Sequence, residues 1–197
     1  MAPTETGSKH HVAAAHQSLN ISMKAELALR VNFAIKHLLG ASRLSRDVGR
    51  IEKENAAKPF GDWWEEMSDN AVACLLLTSA ALESYANELF SDRAKVFPDA
   101  SSKYIDKIWI ITERRPPLEK LDLVLELREK QTLGTKTNLY KAISAVILLR
   151  NELTHFKPEW TNEPRKHRQI SEKLKGYFTP SSITNDPLIF PRAWVKP

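Results

Sequence analysis

Residues 138–156 read Asn138-Leu139-Tyr140-Lys141-Ala142-Ile143-Ser144-Ala145-Val146-Ile147-Leu148-Leu149-Arg150-Asn151-Glu152-Leu153-Thr154-His155-Phe156. Leu139, Ile143, Val146 and Ile147 recur at the spacing of a helix that buries one stripe. At about 100° per residue, Arg150 falls almost in the middle of that stripe. A guanidinium aimed at a core is costly unless something pairs it or it meets a partner surface. Asn151 and His155 are four apart, so they share one side of the helix beside the arginine. The stretch predicts a helix over 138–156 with a polar cluster near its end that packing alone does not require.

The same helical spacing runs through the rest of the chain. From Leu27 through Val31, Ile35, Leu38, Leu44 and Val48 to Ile51 the apolar residues step by three or four. This predicts one long amphipathic helix over 19–55, or two halves bending at Gly40 or Gly49. Pro59-Phe60-Gly61 reads as a turn, and Asp62 followed by Glu65 resembles a capping box opening a second helix over 63–97. That helix is apolar on most sides, so it is expected at the centre, with Glu83 and Asn87 as its polar exceptions. At i and i+4 those two share a face, and they are the internal candidates to meet Arg150 or His155; a structural role for Glu83, neutralising a buried arginine, stands beside a catalytic one. A short helix over 103–113 should turn Ile105, Ile108 and Trp109 inward. Pro116-Pro117 breaks the chain and presets the next helix, 118–130, with Leu121, Val124, Leu125 and Arg128 at helical spacing. A loop with Gly134 follows, and Asn138 is the expected cap of the motif helix. A basic helix over 164–177 comes last.

Six glycines in 197 residues, with no long alternating run of β-branched residues, make the chain all-α: a bundle of four to five main helices with a proline-rich C-terminal arm. Three parts are expected, a tail over 1–17, a helical domain over 18–178 and an extended arm over 179–197. A body of about 150 residues buries roughly 70% of its unfolded surface, enough for a core.

The net charge is +5, and from Phe156 onward eight Lys/Arg face four acids. Such a flank is compatible with a phosphate-bearing partner, although a solvated helix face has the same composition. Cys74 is the one cysteine, which excludes an internal disulfide and a cysteine-based zinc site and fits a reducing compartment. The run from Ala71 to Leu77 is far shorter than the roughly 18 apolar residues of a membrane span. A soluble, cytoplasmic protein is expected, with no membrane association. His10, His11 and His16 lack acidic or cysteine partners at ligand spacing, so no metal and no cofactor are expected. There is also no glycine-rich phosphate loop and no His-Glu-x-x-His pair.

The groups that remain, Arg150, Asn151 and His155, suit phosphodiester cleavage without a metal. A ribose 2′-hydroxyl attacks its adjacent phosphate when one group takes its proton, another protonates the leaving 5′ oxygen, and a cation holds the charge on the phosphoryl oxygens. Histidine serves either proton transfer, arginine forks onto two phosphate oxygens, and asparagine orients phosphate or ribose. One histidine is one short; a symmetric dimer joining two copies of the motif helix would supply the second and would also explain a charge on an apolar stripe.

Arg150-Asn151-x-x-x-His155 resembles the Arg-x(4 to 6)-His motif of HEPN domains (higher eukaryotes and prokaryotes nucleotide-binding), including the polar residue directly after the arginine. Leu148-Leu149 before it, Phe156 after it and Ala81-Leu82-Glu83-Ser84-Tyr85-Ala86-Asn87-Glu88-Leu89-Phe90 on an earlier helix are similar too. The resemblance covers roughly residues 62–177. It implies an all-α bundle, often a homodimer, whose paired motifs line a cleft acting as a metal-independent endoribonuclease. Members serve as toxins of toxin–antitoxin pairs, in phage defence and in RNA processing, and some are inactive binding modules. By position it makes Arg150 and His155 the catalytic pair and Asn151 a substrate-orienting group. Glu83 and Asn87 are supporting candidates only, since an acidic residue on that helix is not part of the defining motif. RNA, a second copy and an antitoxin or regulatory protein are the implied partners; the alternative is a non-catalytic dimerisation or nucleotide-sensing module.

Overall fold

The structure is a computed structural model that describes residues 31–59, 61–160 and 165–178. The expected N-terminal tail and the C-terminal arm lie outside the described residues. Asn32 opens the compact unit to which all of the described helices belong.

The first helix among the described residues, α1 (Phe33–Asn55), starts where Asn32 is extended. Of the helix expected over 19–55, residues 19–30 lie outside the described residues, and the part from Phe33 to Asn55 runs through Gly40 and Gly49 without a break. The start is fixed from outside the helix: the Ala34 N–H donates to Glu88 Oε1 at 3.0 Å, so a carboxylate of the next helix takes one of the free amides of the first turn. Gly40 lies inside α1 because the helices pass closely there. A Cβ on it would come 2.9 Å from Leu77 Cδ1.

The second helix, α2 (Trp63–Ser91), runs antiparallel to α1 along its length. Val48 and Ile51 pack on Trp64, Met67 and Ala71 near the connecting turn, and the Cys74 thiol donates to the Ala41 carbonyl at 3.3 Å. In the turn, Asn55 Nδ2 donates to the Ile51 carbonyl and Lys58 Nζ to Asn55 Oδ1. Asp62 precedes α2 in helical conformation and its side chain makes no cap hydrogen bond, so the expected capping box is absent.

The expected helix over 63–97 ends six residues early. Its continuation is one turn, α3 (Arg93–Val96), after a kink at Asp92. The kink has a packing cause, because it lets Phe97 fold back to 5.8 Å from Phe90, whose ring lies 5.2 Å from Trp109. Around these rings Ile105 of α4 (Ser102–Thr112) and Val124 of α5 (Pro117–Leu127) close one cluster of the core. Helix α5 stops earlier than the predicted 130. Lys130 N–H reaches the Leu125 carbonyl, Glu129 N–H reaches that of Glu126, and Glu129 has φ 53°, the left-handed residue such a stop requires.

The motif lies on α6 (Asn138–Thr154), capped by Thr137 rather than Asn138: the Tyr140 N–H donates to Thr137 Oγ1 at 3.2 Å. Helix α7 (Arg165–Leu174) packs on it, with Ile170 and Leu174 against Ala145, Leu149 and Leu75. Helix α2 is thus central, carrying α1, α5 and α6. The described residues are 73% helical in seven helices, the all-α architecture expected, and none of them forms a strand. No helix among them is long and apolar enough to cross a membrane.

Candidate functional site

The residues of α6 buried in the core are Ala145 and Leu149, with Val146 packed partly against them, while Leu139 and Ile143 lie on the side turned away. Leu139 is 59% exposed, and Ile143 and Val146 border a recess open to solvent. Arg150, two turns after Ile143, continues that outward stripe and is half-buried. The geometry therefore removes the cost that made the arginine anomalous. Its stripe is apolar without being the interior.

Arg150 Nη1 donates to Asn151 Oδ1 at 2.9 Å. This fixes the asparagine amide beside the guanidinium and leaves the other N–H groups of the fork and Asn151 Nδ2 for further acceptors. Helix α6 ends at Thr154, one turn past the arginine. His155 is the residue after it, non-helical at φ −109° and ψ 36°, and its N–H still donates to the Asn151 carbonyl at 2.9 Å. The helix predicted to reach residue 156 stops two residues short, leaving the His155 side chain exposed.

Arg150 does not meet Glu83. Glu83 accepts from Lys120 Nζ, which also donates to Asn87 Oδ1 at 2.9 Å. Lys120 is 1% exposed, and its ammonium lies 5.6 Å from the centre of the Trp109 ring. Glu83 and Asn87 thus bind α5 to α2, which corrects the expectation that they face Arg150 or His155. Sequence reasoning missed Lys120. Its signal was a lysine four residues before Val124, on the stripe that turns inward.

A second group missed in the sequence holds the chain after the motif. Phe156 stacks on His167 of α7, with ring centres 5.2 Å apart and planes 25° apart, and His167 Nε2 lies 2.8 Å from the Lys157 carbonyl. The backbone N–H groups of Lys166 and His167 donate to the two carboxylate oxygens of Glu159, at 3.0 and 2.9 Å. These bonds, the His167 amide first, hold the Glu159 carboxyl below its ordinary pKa; partial burial opposes them, and the charges of His167 and Lys166 add to them. Lys166 Nζ reaches Glu152 of α6 at 3.0 Å. The basic first turn of α7 is thereby tied to the end of α6 that carries Arg150 and His155.

The arrangement offers a guanidinium, an amide and an imidazole on the solvent-facing end of one helix. Among the described residues there is no cluster of three or more His, Cys, Asp or Glu side chains able to hold a metal ion. No protein-family model, curated protein or solved structure matches the chain.

Proposed function

We propose that this chain is a metal-independent endoribonuclease of the HEPN type, with a site completed by a second copy. The observation that carries the reading is the state of Arg150. No carboxylate pairs it among the described residues, since Glu83 is taken by Lys120, and an exposed histidine follows one turn on. A cation that no carboxylate among the described residues pairs, beside an exposed imidazole able to take or give a proton, suits a phosphodiester in solution better than it suits a structural ion pair.

In the proposed reaction Arg150 forks onto the non-bridging oxygens of a phosphate while Asn151 orients the phosphate or ribose. The 2′ oxygen forms a bond to phosphorus, the bond to the 5′ oxygen breaks, and a 2′,3′-cyclic phosphate and a 5′-hydroxyl result. One histidine takes the 2′ proton and another delivers a proton to the leaving oxygen. His155 of each copy supplies one of these groups when two α6 helices meet at the ends that carry Arg150. An antitoxin or other regulatory protein, a role in defence and a cytoplasmic location accompany this reading.

A second reading is a non-catalytic helical module for dimerisation or nucleotide sensing. What favours it is that Asn151 Oδ1 already occupies part of the Arg150 fork within the chain. Single-stranded RNA incubated with the protein in excess EDTA separates the two. The first reading expects cleavage that Arg150→Ala and His155→Ala each abolish; RNA or nucleotide bound but left whole would favour the second.

A further inference from the structure

We propose that the recess between α1, α2 and α6 is a binding site for an uncharged, apolar small molecule carrying one hydrogen-bonding oxygen. Its volume is about 450 Å³, within the roughly 300–1,000 Å³ that small-molecule sites occupy. Ala34, Ser79 and Ala81 are buried and form its floor, with Val146 of α6 beside them. Three small residues leave the space that larger ones would fill. Ile35, Leu38 and Tyr85, between 51% and 63% exposed, stand at its mouth.

Two features specify the occupant. Among the described residues the lining carries no charged side chain, and an ion entering it would lose hydration that this lining does not replace. Ser79 is 4% exposed and its Oγ has no hydrogen-bond partner among the described residues, whereas the neighbouring Thr78 hydroxyl donates to the Cys74 carbonyl at 2.8 Å. A buried hydroxyl without a partner is costly, and it turns about a single bond to meet a donor or acceptor that arrives. A ligand oxygen placed at the floor satisfies it while the ligand's apolar body fills the recess. This inference is independent of RNA cleavage. It concerns a different set of side chains, one turn before Arg150 on the same stripe.

The test titrates the full chain with 2-naphthol and with naphthalene, reading the emission of each probe, and records the sedimentation mass at the same protein concentrations. Saturable binding of one probe per chain is expected, with 2-naphthol bound about three- to tenfold more tightly, the size of one net hydrogen bond. Ser79→Ala removes a hydroxyl that nothing in the described chain uses, so the variant should fold and should bind the two probes equally. Ile35→Glu, at an exposed position, should weaken both. Absence of saturable binding, equal affinities in the unaltered chain, or a preference that survives Ser79→Ala would each overturn the proposal. So would binding that disappears as the chain self-associates, because the recess would then belong to a second copy. None of these results bears on whether RNA is cleaved.

Discussion

At the level of single residues, the arginine in an apolar run was legible because a charge on a stripe stands out in any helical projection. Its surroundings were not. Periodicity tells which residues share a face but not what that face meets, and the stripe of Arg150 turned out to be the outer one. The partner of Glu83 lies 37 positions away on another helix, a separation that no local pattern encodes. The Glu83–Lys120–Asn87 group makes a prediction that separates structure from chemistry. Glu83→Ala leaves a buried ammonium with only Asn87 and the Trp109 ring, and should cost about 2 kcal/mol in urea unfolding, less than a fully buried pair because Glu83 reaches solvent. Cleavage by the folded fraction should be unchanged. A large loss of rate with little loss of stability would place Glu83 in the reaction after all.

Glu159 gives a pH dependence at the same scale. Its carboxyl titrates below the ordinary value of 4.5 when folded, so its hold on the first turn of α7 is fully present above that value and is lost as pH falls through the lower, folded one. The amide signals of Lys166 and His167 should shift through that acid range in an NMR titration, and the shift should vanish in Glu159→Gln. Shifts of the same size in the variant would assign them to another group.

At the level of elements, most helices were readable from apolar spacing and from proline and glycine, and their ends were not. Helix α2 stops at Ser91 because Phe97 returns to Phe90, and α6 stops at Thr154 before the histidine it was expected to carry. Both ends are set by contacts made after folding. Two glycines of α1 show what local sequence leaves open, since an unbroken helix and a bend at either one fitted the same pattern. A Cβ at Gly49 would meet nothing within 4 Å, so Gly49→Ala should raise stability by about 1 kcal/mol. Gly40→Ala should gain less, because its Cβ has to displace the end of Leu77. Glu129→Gly, which relieves the left-handed residue at the end of α5, should also stabilise by about 1 kcal/mol. Thermal or urea unfolding of the three variants checks the order; a Gly40→Ala gain equal to that of Gly49→Ala would contradict the close approach of α1 to α2.

At the level of the whole molecule, the all-α class followed from composition and spacing, whereas the open stripe of α6 could be found only once three helices were placed around it. A charge at the end of an apolar stripe that the described residues leave partly open is what a shared cleft would need. The chain should sediment near twice 22.4 kDa. Full cleavage by a monomer would remove the composite site. The central claim, that Arg150 and His155 cleave RNA without a metal, is tested most directly by the ends of the products. In excess EDTA the unaltered chain should leave 2′,3′-cyclic phosphate and 5′-hydroxyl ends on single-stranded RNA, and the folded Arg150→Ala and His155→Ala variants should leave the RNA intact. Equal cleavage by all three proteins, or intact RNA with all three, would contradict it.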